Sequence, residues 1–366
     1  MKKIVFISSN QIFGGSEKLW IETVLCYHEK YDIIVFVQYE HEIIELLKSK
    51  IKLYYFNKNK ETLLSKIKNK CLNKSSDFKI ILQRIKPDLI VFSLGEPFSL
   101  LTQFEIVGDF KYLTVNQLVS DYHWLSLKNS NYQRFSSVYN NSCANFFVSH
   151  ENLYRFEQMM GKQVNGYVIN NPVTLKVKEC IKFPDYQNIY HIAFVGRFEF
   201  YHKGLDLLLL ALKDEVWKYR NVRFNFYGEG PHQYILQKVI DDNNLNYCMV
   251  HPFEKDVTEI WSANHLLIST SRFEGKSISI SEASYYGRAT IATRVGGASE
   301  QIIDGKTGYL INEVSSESIL QTLNKAWETR GKWEEMGIEA RVEYLQTIHT
   351  DPVDDFASKL KFYSEL

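Results

Sequence analysis

Short runs rich in β-branched and aromatic residues alternate with helical stretches along this chain, and the alternation occurs twice. A strand that must cross over through a helix to reach its neighbour makes a parallel sheet, so the pattern commits the chain to α/β architecture. In the first half the strand-like runs are Ile4 to Ser8, Ile33 to Gln38, Lys52 to Phe56, Leu89 to Phe92, Lys111 to Val115, Ala144 to Ser149 and Gly166 to Asn170. In the second they are His191 to Val195, Val222 to Tyr227, Tyr247 to His251, Leu266 to Thr270, Thr290 to Thr293 and Gly308 to Ile311. A length of 366 residues is natural for two domains, and 45% hydrophobic content supplies both cores. Asn170-Asn171-Pro172-Val173 and the polar stretch behind it set the boundary near Asn171.

Within the second half, Glu274 and Glu282 stand eight positions apart. Leu266 to Thr270 reads as a short buried strand, Gly275 and its neighbouring serines as a tight turn, and Ile278 to Tyr286 as the following helix. Both carboxylates then face the crevice at the carboxyl end of a parallel strand, where open α/β sheets bind ligands and a new helix offers N–H groups to a phosphate. A carboxylate repels that anion, so its usual reason for being there is sugar hydroxyls, which it can accept in pairs. Taken alone, glutamates flanking a βα turn are ordinary solvated side chains.

Their surroundings narrow the reading. Phe194-Val195-Gly196-Arg197 precedes His202-Lys203-Gly204-Leu205-Asp206, then Phe226-Tyr227-Gly228-Glu229-Gly230-Pro231; Val295-Gly296-Gly297, Glu300 and Asp304-Gly305-Lys306-Thr307-Gly308 follow the glutamates. In this order they resemble the carboxyl-terminal half of the retaining GT-B glycosyltransferases of family 4. Ile4-Val5-Phe6-Ile7 running into Gly14-Gly15-Ser16-Glu17 is similar to that family's first strand and glycine-rich turn. The resemblance covers nearly the whole chain; it is strongest from about Ile192 to Leu310, good over residues 4 to 25 and weak between 40 and 165.

The resemblance implies two Rossmann-like, doubly wound parallel-sheet domains facing a central cleft. Residues 1–171 would bind the acceptor, 172–349 the nucleotide-sugar donor, and a helix within 350–366 would cross back to the first domain. Arg197 and Lys203 would hold the diphosphate, whose charge grows as the glycosidic bond breaks. Glu282 would accept from the ribose hydroxyls, and Glu274 would sit nearer the donor sugar. Gly196 and Gly275 would let the backbone approach the donor, with amides at Lys276, Ser277 and Ile278 reaching the sugar and distal phosphate. Gly14 and Gly15 would approach the donor phosphates and the acceptor. Trp20, Val24 and Tyr27 follow at helical spacing, with Trp20 expected in the core.

Two departures from the family pattern stand out. Lys276-Ser277 replaces the aromatic residue and Gly or Pro usual after Glu274-Gly275, which alters the wall facing the sugar. The amino-domain histidine that follows the fifth strand is also displaced. Asn116-Gln117 occupy its register, and a histidine arrives only at His123 within Ser120-Asp121-Tyr122-His123-Trp124. Either His123 reaches the cleft through an inserted turn or Asn116 replaces it. Asp121 is a further candidate for an acceptor hydroxyl.

The implied function is transfer of a sugar from a nucleotide-sugar, a UDP-sugar before a GDP-sugar, to a hydroxyl of a glycan or lipid-linked glycan acceptor. Bacterial surface polysaccharide or lipid-linked oligosaccharide synthesis fits this chemistry. No cofactor is expected, and since no Asp-x-Asp lies at a strand end, no metal either. Alternatives within the resemblance are nucleotide-sugar epimerisation or hydrolysis, and a non-catalytic nucleotide-sugar-binding protein. A dinucleotide oxidoreductase does not fit, because neither glycine cluster reads Gly-x-Gly-x-x-Gly after a strand.

Lys+Arg and Asp+Glu both number 43, a balance that argues against bulk nucleic-acid binding. Five cysteines show no metal-ligand spacing and are expected to be buried reduced thiols. The longest apolar run, Leu207 to Leu212, is too short to span a bilayer, so the chain is expected in the cytosol. Between Lys48 and Lys86, twelve basic residues face two acidic ones and are interleaved with apolar side chains. Such a segment is either a solvated helical face or a surface that rests on anionic lipid at the inner face of the membrane.

Overall fold

In a computed structural model of the chain, the described residues are 1–8, 10, 15–55, 75–102, 110–120, 129–173, 181–186, 188–348 and 350–366. They form two compact units, Met1–Pro172 together with Thr350–Leu366, and Val173–His349.

The first unit is built on a seven-stranded sheet of β1 (Lys3–Ser8), β2 (Asp32–Val37), β3 (Lys52–Tyr55), β4 (Leu89–Leu94), β5 (Tyr112–Asn116), β6 (Ala144–Phe147) and β7 (Gly166–Val168). The spatial order is β3-β2-β1-β4-β5-β6-β7, and every neighbouring pair is parallel. Parallel strands are covered on both faces, which is why β1 and β4 read as unbroken apolar runs. Ile4 and Phe6 pack on one face with Leu19, Trp20 and Val24 of the helix Lys18–Tyr27, and Val5 and Ile7 pack on the other with Phe135 and Phe156. The helix Pro352–Glu365 begins at Asp351, whose side chain accepts from the Val353 amide, and carries Phe356, Leu360 and Tyr363 into the first of these clusters.

The second unit is built on a six-stranded sheet, with β8 (Tyr190–Val195), β9 (Val222–Tyr227), β10 (Cys248–His251), β11 (Leu266–Ser269), β12 (Ala289–Thr293) and β13 (Gly308–Ile311) in the order β10-β9-β8-β11-β12-β13, again all parallel. Ile192, Phe194, Leu266 and Ile268 face the helices Leu205–Leu212 and Ser316–Glu328. Ala193 and Leu267 face Ile260 and Trp261 on one helix and Ile280 and Ala283 on another. The buried Arg288 ties this unit's turns together by donating to the carbonyls of Trp261, Asn264, Tyr286, Gly287 and Lys182.

All thirteen strands anticipated from the alternation are present, with ends displaced by at most two residues. In each sheet the strand order reverses once, between β1 and β4 and between β8 and β11, which creates a crevice at the carboxyl ends of those strands. The cysteines need correction. Of those described, only Cys248 is buried; Cys143 is half-buried and Cys26 exposed, and all three are free thiols. Among the described residues, no helix is long and apolar enough to cross a membrane.

Candidate functional site

The crevice between β8 and β11 gathers most of the residues singled out by the motifs. Arg197 leaves β8 through Gly196, and the short helix Phe200–Lys203 ends at Gly204, which has φ +62°. A Cβ at Gly204 would lie 2.0 Å from the Thr270 carbonyl oxygen, so only glycine lets this turn rest on the end of β11. The Thr270 hydroxyl donates to the Lys203 carbonyl at 3.1 Å, and the Arg272 amide donates to the His202 carbonyl at 2.8 Å. Arg272 also grips Asp206 through two hydrogen bonds, 2.7 and 2.6 Å long. These contacts fix the segment after β8 against the segment after β11, and so bring Lys203 onto Glu274.

Lys203 Nζ forms an ion pair with Glu274, and the Ser271 hydroxyl donates to the same carboxylate oxygen at 2.8 Å. Burial acts to raise the Glu274 carboxyl, but the Lys203 charge, the neighbouring His202 and the hydrogen bonds outweigh it, and the carboxyl stays below its ordinary range. Arg197 pairs with Glu199, and burial lowers the Arg197 guanidinium from its usual value. His202 stacks on Phe273 with ring centroids 4.5 Å apart. Burial, reinforced by the Lys203 charge, brings His202 down to about 4, so the ring is neutral at pH 7.

The loop after β12 closes over Glu274. Gly297 N–H donates to the Gly275 carbonyl at 2.7 Å, and a Cβ at Gly296, with φ +52°, would lie 1.9 Å from the Glu274 carbonyl oxygen. Lys276 is lowered from its usual value by burial, with the Glu300 charge opposing. Ser277 precedes the helix Ile278–Tyr285 without capping it by its side chain, and Gln301 Nε2 donates to the Ser277 carbonyl and the Ser281 hydroxyl at 2.8 and 2.9 Å. Glu282 lies on that helix with only 6% of its surface exposed. The Tyr344 phenol is raised by burial and by the Glu282 charge.

With fixed cations, ionised carboxylates and a helix start at one topological switch point, this crevice has the makings of an anion and polyol site. Residues 182–343 match the family described as "Glycosyl transferases group 1". That match lies wholly within the second unit and covers less than half of the chain. An uncharacterized 41.2 kDa protein in the cps region of Klebsiella pneumoniae is 30% identical over 165 residues, 43% of this chain and 44% of that protein. A poly(ribitol-phosphate) alpha-N-acetylglucosaminyltransferase of Staphylococcus aureus is 29% identical over 157 residues, 41% of this chain and 31% of that protein. The matched stretch thus spans less than half the length of these relatives. Over the whole of both chains, the structure of HepE from Anabaena in complex with UDP superposes with a TM-score of 0.77 at 19% identity, and the fold is GT-B.

The first unit places its candidate residues less openly. Asn116, expected to meet an acceptor, is instead sealed in the core with no exposed surface. Its Nδ2 donates to Thr114 Oγ1 at 3.0 Å and to the Phe146 carbonyl at 3.2 Å, and its Oδ1 accepts from the Tyr139 hydroxyl at 2.8 Å. Gly15 opens the short 3-10 turn Gly15–Glu17. Gly14, Asp121 and His123 lie outside the described residues, as do residues 56–74 of the basic segment.

Motif reading had no role for three features. Glu199 is the partner of Arg197. His202 sits between the two ion pairs, 4.0 Å from Glu199. Glu17, 1% exposed, accepts from the Ser8 hydroxyl at 3.1 Å, from the Asn10 amide and from the Trp20 indole, and Asn10 in turn accepts from Gly95 N–H at 2.7 Å. A charged residue two positions behind Gly-Gly was the available signal for this last network.

Proposed function

We propose that the chain moves a sugar, with retention of anomeric configuration, from a nucleotide-sugar donor to a hydroxyl of a glycan acceptor. In this reading residues 172–349 hold the donor and residues 1–171 the acceptor. The observation that carries it is the pairing of Arg197 with Glu199 and of Lys203 with Glu274 at the ends of β8 and β11, with Glu282 on the helix that follows β11. As the bond from the anomeric carbon to the diphosphate oxygen breaks, the growing charge falls to Arg197, Lys203 and the amides of Lys276, Ser277 and Ile278. Glu274 orients the sugar through its hydroxyls, and Glu282 accepts from the ribose. The acceptor oxygen bonds to the anomeric carbon on the face the diphosphate leaves, and its proton goes to the departing phosphate oxygen. The chemistry therefore calls for no strong base and no divalent metal.

Similar proteins support this choice of substrates. The Staphylococcus aureus relative is named as an alpha-N-acetylglucosaminyltransferase acting on poly(ribitol-phosphate), and HepE is described in complex with UDP and with UDP-glucose. A UDP-sugar is accordingly the first donor to try and a GDP-sugar the second. The Klebsiella relative from a cps region supports surface polysaccharide as the product class. His123 and Asp121 stay as candidates for the sugar and acceptor hydroxyls, and Gly14 and Gly15 for the donor phosphates. Exposed Lys48, Lys50 and Lys52 would let the first unit rest on an anionic membrane that presents a lipid-linked acceptor.

Calorimetry with UDP, GDP, ADP, TDP and their sugar conjugates in EDTA tests the reading. The expected result is selective binding in EDTA that weakens in Glu282→Ala. Failure of every nucleotide to bind would overturn it.

A further inference from the structure

Both cations assigned to the diphosphate are already engaged. Arg197 pairs with Glu199, and Lys203 pairs with Glu274. With His202 neutral, these four charges sum to zero. A nucleoside diphosphate brings roughly two to three negative charges, and a like charge at contact distance repels it. The phosphates therefore cannot settle beside two ionised carboxylates unless one of them gives up its cation.

The two carboxylates are not equally free to do so. The Glu274 side chain is 15% exposed and is held by Ser271 as well as Lys203, while its backbone is packed closely against Gly296. The Glu199 side chain is 29% exposed and makes no capping hydrogen bond to the helix Phe200–Lys203, ahead of which the Glu199 backbone is extended. Beyond Arg197 it has an uncharged neighbour, His202 Nδ1, 4.0 Å away.

We propose that Glu199 is an internal competitor for the donor's phosphates. It holds Arg197 while no nucleotide is bound, is displaced when the diphosphate arrives, and returns to hasten release of the nucleoside diphosphate product. This rests on the donor-site reading above. It makes Glu199 a determinant of affinity and product lifetime, and gives the protein a reason to keep an acidic side chain next to a phosphate anchor.

Titration calorimetry and stopped-flow dissociation of UDP, of any other nucleoside diphosphate the wild type binds, and of inorganic pyrophosphate test it, with uridine as the uncharged control. Glu199→Gln is expected to bind UDP and pyrophosphate about five-fold more tightly, mainly through slower dissociation, and uridine no differently. Glu199→Ala should act in the same direction, and the gain should vanish in an Arg197→Ala background, which assigns it to that pair. Unchanged or weaker diphosphate binding by both Glu199 variants would overturn the proposal while leaving the donor site standing. No diphosphate binding by the wild type would remove the donor-site reading, and this proposal with it.

Discussion

The crevice between β1 and β4 and the crevice between β8 and β11 occupy equivalent places in two sheets of the same topology, yet their charges are arranged in opposite ways. At the first, Glu17 is almost fully buried and its oxygens receive Ser8, Asn10 and Trp20, all neutral donors. Through Asn10 it also fixes Gly95 at the end of β4. At the second, Glu199 and Glu274 meet Arg197 and Lys203 in ion pairs whose side chains stay 15% to 29% exposed. A topological switch point supplies a location. Exposure and the charge of the partners decide whether the carboxylate there becomes a structural brace or part of a surface that exchanges partners with a ligand.

The largest test of this contrast is Glu17→Ala, which strips an acceptor from three buried donors. It should lower unfolding stability in urea by about 4 kcal/mol, and a loss below about 1 kcal/mol would mean that Glu17 braces nothing. Next comes Gly296→Ala, whose new Cβ meets the Glu274 carbonyl. It should cost about 3 kcal/mol in stability and should also weaken nucleotide binding, because the strain falls on the segment that carries Glu274. A purely thermal effect would detach Gly296 from the site.

Arg197→Ala should reverse the balance, reducing nucleotide affinity about 100-fold with less than about 1 kcal/mol lost in stability. Destabilisation as large as that of Glu17→Ala would erase the distinction between the two crevices. The last effect is graded with pH and concerns acid. In the second unit, burial depresses His202 and His265 to about 4 and also lowers His191 and His251. The unfolded chain, with histidines near 6.5, binds protons that the folded unit refuses. Stability is therefore complete above about pH 6.5 and declines as pH falls toward 4, by at most about 1.4 kcal/mol per pH unit for each of His202 and His265, and by less for the more solvated His191 and His251. Melting temperatures that are flat between pH 7 and pH 5 would contradict this.

Strand placement was legible because strands buried on both faces must be apolar along their length, and the Leu266–Ser269 run has no other use in an α/β chain. Lys203 was legible beside Gly204, whose backbone position only glycine accepts, and Arg197, Glu274 and Glu282 were singled out by the order of motifs in the family the sequence resembles. Glu199 was not, since its pairing depends on how the chain bends between β8 and the helix Phe200–Lys203, which two-residue spacing does not reveal. Asn116 was misjudged for a different reason. It ends a strand, and strand ends commonly reach ligands, but the two-residue period puts its side chain on the same face as Thr114, to which it donates.

The helix Pro352–Glu365 closes the core of the unit that begins at Met1, whereas Val173–His349 is a continuous stretch. During synthesis the ribosome delivers the whole of the second unit before Phe356, Leu360 and Tyr363 can reach the first. The order of completion is therefore the reverse of the usual amino-terminal-first sequence: the nascent chain finishes its later unit early and carries an open hydrophobic face until its last residues emerge.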